Sequence, residues 1–184
     1  MLWLVVTAFL LAACSPPEPL FDDVSLHGWE PIGAASWTVE NAEIVGAGLG
    51  DGFLTTLAQY ANFELSLEFQ VDAATNSGVF IRCRERARIH PETCYELNIW
   101  DEHPNPQART GAIVLHVMPP LRHVTTLGRW NTLLVLARDR RLELRVNGEL
   151  TAVLDDAETA VGFIALQRWQ SGTVRFRNLR LREF

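Results

Sequence analysis

The sequence predicts an all-β domain, a two-sheet antiparallel sandwich, and three observations predict it. The stretch FELSLEFQV alternates without a break, with Phe63, Leu65, Leu67, Phe69 and Val71 on one face and Glu64, Ser66, Glu68 and Gln70 on the other. That is the period of a half-buried strand. Asn147-Gly148 divides two further alternating runs in RLELRVNGELTAVL, and this dipeptide accepts the two positive φ values of a type I′ hairpin turn. No stretch joins a helical period to capping residues. Short antiparallel strands at regular spacing make sandwiches or barrels, and two curved sheets sharing one core suit this length.

Taken in order, the remaining elements follow the same rule. In VFIR, Val79 and Ile81 face the core while Phe80 and Arg82 point the other way. In CYELNIWD, Tyr95, Leu97 and Ile99 form the apolar set, which leaves Glu96, Asn98 and Trp100 on the opposite face. WNTLLVLARD leads into the Asn147-Gly148 hairpin, and GFIALQ and TVRFRNLRLREF follow it, each bounded by glycine or polar turns. In the last segment the apolar residues shift from Val174 and Phe176 to Leu179 and Leu181. A bulge near Arg177-Asn178 restores the core face.

The N-terminus reads as a processing segment. Its apolar run is shorter than the 20 or so residues that span a bilayer, and it ends in Leu11-Ala12-Ala13-Cys14. That ending resembles the lipobox of bacterial lipoproteins, in which the cysteine is acylated, although no Lys or Arg precedes the apolar core. The expected organisation is a signal peptide over 1–13, a lipidated, proline-stiffened tether over 14–19, and one domain over 20–184. The expected location is the bacterial cell envelope, with the lipid on Cys14 as the only membrane contact and Ser15 favouring the outer membrane, facing the periplasm. In such an oxidising compartment Cys83 and Cys94 form an even pair, so a disulfide is the default and two buried thiols the alternative. Strict alternation sends Cys83 inward and Cys94 outward, which opposes the bridge unless one cysteine leaves the regular ladder.

Composition narrows the function. Without residues 1–13 about 170 residues remain, enough for one sizeable core. A net charge of −6 argues against a nucleic-acid partner, because that binding rests on neutralising phosphates. All 16 basic residues are Arg, so chemistry through a lysine Schiff base is excluded.

Nine stretches, in order and at comparable spacing, resemble the 3-keto-disaccharide hydrolase domain family. They are LFDDVSLHGWE, WTVENAEIVGAG, FLTTLAQYANFELSLEFQV, NSGVFIR, CYELNIWDEHP, RTGAIV, GRWNTLLVLARDRRLELRVNGEL, GFIALQ and VRFRNLRLREF. The resemblance covers residues 20–184. It implies a concanavalin-like jelly roll and action on sugars oxidised at carbon 3. A ketone there acidifies the hydrogen on carbon 2, so a positioned base can remove it and the glycosidic oxygen can leave carbon 1. That route needs a base, a proton donor for the leaving oxygen and stabilisation of the enolate. Ordinary glycoside hydrolysis needs two carboxyl groups instead.

If the strands of VFIR and CYELNIWD share a sheet, Arg82, Glu96, Asn98 and Trp100 converge on one surface. Asp101 is an odd step from Glu96, but at a strand end its carboxylate can swing over the sheet. The resemblance places the family's Glu and Asp at Glu96 and Asp101. The expected catalytic set is Arg82 for charge stabilisation, Glu96 as base and Asp101 for positioning. Against it stands a plain Arg82–Glu96 ion pair on a solvated face. Gln167 matches the glutamine of the family's LQ signature and is a candidate for sugar binding together with Asn98 and Trp100. The family usually carries a histidine two residues later, where this chain has Trp169, which suits stacking on a sugar ring. His103 is a candidate acid, base or ligand to a divalent metal shared with Asp101. His27, His90 and His123 read as loop residues and His116 as a sheet histidine. Two functions remain open: an enzyme cleaving 3-keto-glycosides, and a non-catalytic carbohydrate-binding module on the same fold.

Overall fold

The computed structural model describes residues 16–155 and 157–184, so Cys14 and the apolar run before it lie outside the described residues. Among the described residues, thirteen strands form two antiparallel sheets. The larger sheet runs in the order β11 (Glu149–Leu154), β10 (Arg141–Val146), β9 (Asn131–Arg138), β6 (Phe63–Val71), β13 (Val174–Glu183), β4 (Glu43–Ala47) and β3 (Ser36–Glu40), with β1 (Glu18–Pro19) paired to the far end of β13. The smaller runs β2 (Trp29–Gly33), β5 (Gly52–Thr56), β12 (Phe163–Gln170), β7 (Thr75–Cys83) and β8 (Tyr95–Ile99). A short 3-10 turn at Pro106–Ala108 is the only helical element among the described residues.

Alternation decides which side chains fill the space between the sheets. The odd residues of β6 are buried and its even residues partly exposed. From the opposite sheet Val79, Ile81, Tyr95, Leu97, Ile99, Ile164 and Leu166 meet them in one continuous core. Burial of a full aliphatic side chain is worth roughly 1.5–3 kcal/mol, so this interface dominates the stability. The expected bulge in β13 is present: pairing with β6 skips between Arg177 and Arg180, and Asn178 sits at φ 53°. Asn147 and Gly148 have φ of 52° and 82°, as a type I′ turn requires. Asn147 also ties the turn to β9, its Oδ1 accepting from the Thr132 N–H at 3.0 Å.

One departure from alternation changes the expected site. Arg82 has φ 53°, and β7 bulges against β12 there, so that Cys83 pairs with Phe163 while Phe80 pairs with Ala165. The extra residue turns Cys83 onto the outer face, where it packs with Phe53, Phe80, Cys94 and Ala165. Cys83 and Cys94 are bonded there, with their Cα atoms 4.4 Å apart. The conflict between parity and disulfide is resolved by the bulge.

The same bulge takes Arg82 out of line with Phe80. Its side chain is fully buried and donates to the carbonyl oxygens of Asp139 (2.7 Å), Ala61 (2.9 Å) and Thr159 (3.1 Å). Arg82 therefore fastens three loops at one end of the sandwich and makes no ion pair with Glu96. His116, expected in a sheet, lies instead in an exposed turn, 5.0 Å from the Tyr95 ring.

Candidate active site

The outer face of the smaller sheet is organised in rows that run across its strands. One row is Phe53, Gln167, Gly78 and Asn98 on β5, β12, β7 and β8, each in register with the next. The adjacent row is Thr55, Ala165, Phe80 and Glu96. On the other side Trp169 is in register with Asn76. A single outward parity on four neighbouring strands thus places Gln167, Asn98 and Glu96 on one floor.

Two coverings turn that floor into a cleft. The disulfide closes the loop 84–93 back over the sheet, and Arg86 secures it through an ion pair with Glu30 and a position 5.4 Å over the Phe163 ring. Residues 111–114 run along β8, with Val114 N–H donating to Glu96 O and Asn98 N–H to Ala112 O, both at 3.0 Å. Between them lies a cavity of about 230 Å³. Glu96, Asn98 and Gln167 line it, Trp100, Trp169 and His103 border it, and Ile89, His90 and Pro91 of the disulfide loop form a wall.

Glu96 is 8 % exposed, and its carboxylate has no hydrogen-bond or ionic partner among the described residues. Loss of water around the carboxylate pushes its pKa up to about 7. A carboxyl group poised there exchanges protons readily at neutral pH. Asn98 donates through Nδ2 to the Ala108 carbonyl, which fixes its amide and leaves Oδ1 buried without a partner. The Oε1 of Gln167 is likewise buried and unpaired. Buried polar atoms are ordinarily satisfied, so two unmet acceptors in one cleft mark a place where a ligand supplies donors. The rim is aromatic. Trp169 is 36 % exposed with its ring 5.8 Å from Phe53, and Trp100 lies edge-on to His103 at 4.3 Å.

Of the expected site, Glu96, Asn98, Trp100, His103, Gln167 and Trp169 are brought together, and Arg82 and Asp101 are not. Asp101 sits just past β8, but its carboxylate turns away from the cleft into a clamp. Oδ1 accepts from the Thr110 hydroxyl (2.5 Å) and the Thr126 hydroxyl (2.9 Å), and Oδ2 accepts from the Thr126 N–H (2.6 Å). With both oxygens engaged, Asp101 positions the segments around Thr110 and Thr126 instead of reaching over the sheet. A metal shared by Asp101 and His103 does not fit this geometry, and among the described residues no three His, Cys, Asp or Glu side chains cluster as a metal site. Sequence reasoning missed Gly78, Asn76, Phe53 and the pocket role of His90. A glycine inside a strand, as in NSGVF, is itself a signal of close approach. His90 reaches the cleft only through the disulfide, which no local pattern encodes.

A larger hollow of about 480 Å³ lies on the outer face of the eight-stranded sheet, beside Glu68, Arg145 and Arg180. It contains no buried polar atom lacking a partner, so the cleft over the smaller sheet is the better candidate.

The comparisons agree with this picture of the fold. A "putative glycosyl hydrolase" from Parabacteroides distasonis superposes with a TM-score of 0.79 at 22 % identity, covering 91 % of this chain and 94 % of its own. The carbohydrate binding module CBM66 from Bacillus subtilis superposes at 0.65 with 17 % identity, covering 85 % and 96 %. A Bacillus subtilis protein with a galectin-like fold gives 0.71 at 11 % identity, covering 93 % and 96 %. These likenesses establish the jelly-roll sandwich. No curated protein matches the chain. The model of the 3-keto-alpha-glucoside-1,2-lyase-like domain matches residues 16–182, nearly the whole chain, and the protein belongs to that family.

Proposed function

We propose that the protein cleaves glycosides oxidised at carbon 3, with Glu96 as the base. The observation that carries this reading is a lone, desolvated carboxyl group, with pKa about 7, on the floor of a cleft rimmed by aromatic and amide side chains. Glu96 takes the proton from carbon 2, and the electron pair moves to the ketone oxygen as an enolate. The enolate then re-forms the carbonyl and expels the oxygen from carbon 1. The products are a 1,2-unsaturated 3-keto sugar and a free alcohol.

In this reading His103, at the cleft border, completes the proton balance. Its Nδ1 lies 3.0 Å from both the N–H and the carbonyl oxygen of Asn105. The tautomer that accepts from the Asn105 N–H has its proton on Nε2, and in the proposed reaction that proton goes to the departing oxygen. Among the described residues, Glu96 is the only Asp or Glu lining the cleft. Hydrolysis by a pair of carboxyl groups therefore has less support than elimination.

A non-catalytic carbohydrate-binding module is the second reading, favoured by the engagement of Arg82 and Asp101 elsewhere. One experiment separates the two. The purified protein is incubated with a 3-keto-glucoside, and formation of the unsaturated ketone is followed. Glu96→Gln is expected to lower turnover by about 10²–10⁴-fold while sugar binding persists. Binding without turnover by the wild type sinks the enzyme reading. We also propose that the chain is held at the cell envelope by a lipid on Cys14, which mass spectrometry of the mature N-terminus tests.

A further inference from the structure

The middle of the cleft floor has no side chain. Gly78 lies within β7 between Gln167 and Asn98, and it is not among the glycines held at positive φ. Backbone conformation therefore does not call for glycine there. What does is space: a Cβ at Gly78 would come within 3.3 Å of Gln167 Oε1, 3.3 Å of the Leu97 carbonyl and 3.5 Å of Glu96 Oε1. Two of those oxygens belong to the cleft, and Asn98 Oδ1 adds a third from the next strand. Asn98 and Gln167 are 2 % and 6 % exposed, and neither oxygen has a partner.

We propose that this recess over Gly78 receives the hydroxyl-bearing edge of an uncharged sugar ring and rejects sugars carrying a carboxylate, phosphate or sulfate. The proposal rests on the reading of the cleft as a sugar site and adds the class of sugar. Gln167 Oε1 and Glu96 Oε1 face the recess, Asn98 supplies a further unpaired acceptor in the same cleft, and hydroxyl groups supply the donors these oxygens lack. No arginine lines the cleft, and the chain contains no lysine. The two fully buried arginines near this sheet are engaged elsewhere: Arg82 holds three loop carbonyls, and Arg168 those of Gly48, Gly50 and Gly172. An anionic substituent would meet carboxylate and amide oxygens without a fixed cation. A desolvated, unpaired charge is costly. The titratable groups at the cleft besides Glu96 are His90 and His103.

The test is binding of methyl glucoside and methyl glucuronide to the purified full chain at pH 8, by calorimetry or ligand-observed NMR. The glucoside is expected to bind at least about tenfold more tightly. Gly78→Ala and Gln167→Met are each expected to weaken the glucoside by about tenfold, the scale of one lost hydrogen bond, with melting temperature nearly unchanged. Should Gly78→Ala fail to fold, the near-isosteric Gln167→Met carries the test alone. Equal affinity for the glucuronide overturns the proposal, and so does wild-type affinity in both variants. Turnover of the 3-keto-glucoside is measured in parallel. If that ketone is not cleaved while the binding pattern holds, the proposed reaction fails and the recess stands.

Discussion

Cys83 bonds to Cys94 across the outer face of the five-stranded sheet because Arg82, one residue earlier, adopts left-handed backbone geometry. One bulge thereby does two things. It sends the Arg82 guanidinium to the end of the sandwich, and it pins the loop 84–93 above the cleft.

Loss of the disulfide should therefore affect the cleft more than the core. The bond closes a loop with a sequence separation of 11, for which the chain-entropy relation gives about 2–3 kcal/mol. The double variant Cys83→Ser, Cys94→Ser should lower stability by about that amount and keep its β-sheet circular dichroism. Sugar binding should weaken more sharply, because Ile89, His90 and Pro91 lose their anchor. Unchanged binding would show that the loop holds its place without the bond.

Glu96 makes stability depend on pH with a definite sign. Its folded pKa, about 7, lies above the ordinary glutamate value of 4.5, so the folded state holds the proton more tightly. The contribution is complete below about 4.5, is lost as pH rises towards 7, and is constant above that. Against Glu96→Gln, the wild type should lose roughly 3 kcal/mol across this window. Denaturant titrations at pH 4.5, 6 and 8 check it. In turnover assays, kcat/KM should rise with pH through about 7 as the base ionises.

Arg82 and Asp101 should behave as structural residues. Arg82→Met leaves the Ala61, Asp139 and Thr159 carbonyls without their donor and should cost about 3 kcal/mol or more, since each orphaned buried group costs roughly 1–3. Asp101→Ala should cost about 1–3 kcal/mol by freeing Thr110 and Thr126. In both variants the folded fraction should retain activity within a few-fold of wild type. A large loss of kcat in stable, folded protein would return either residue to the catalytic set.

Gly148→Val tests the hairpin. Nothing lies within 4 Å of a Cβ placed at Gly148, yet its φ is +82°. The whole penalty is therefore backbone strain, expected at about 1–3 kcal/mol for a β-branched residue. Thermal unfolding should show it with no change in sugar binding.

The sequence by itself determined everything that depends on period. Alternation in FELSLEFQV, VFI and YELNI assigned the buried faces correctly, and with them the shared outward face of Glu96, Asn98 and Trp100. Local turn chemistry did the same for Asn147-Gly148 and for the Asn178 bulge. Tertiary structure decided what alternation cannot encode. A bulge adds one residue and reverses parity, so Cys83 turned outward and Arg82 left the outer face for the end of the sandwich. Asp101, beyond the strand, took its direction from Thr110 and Thr126, which are distant in sequence and close only in the fold. The acceptors over Gly78 come from two strands paired to β7 and far apart in the chain. Such a recess is a property of register across a sheet, fixed only when long-range pairing places those rows side by side.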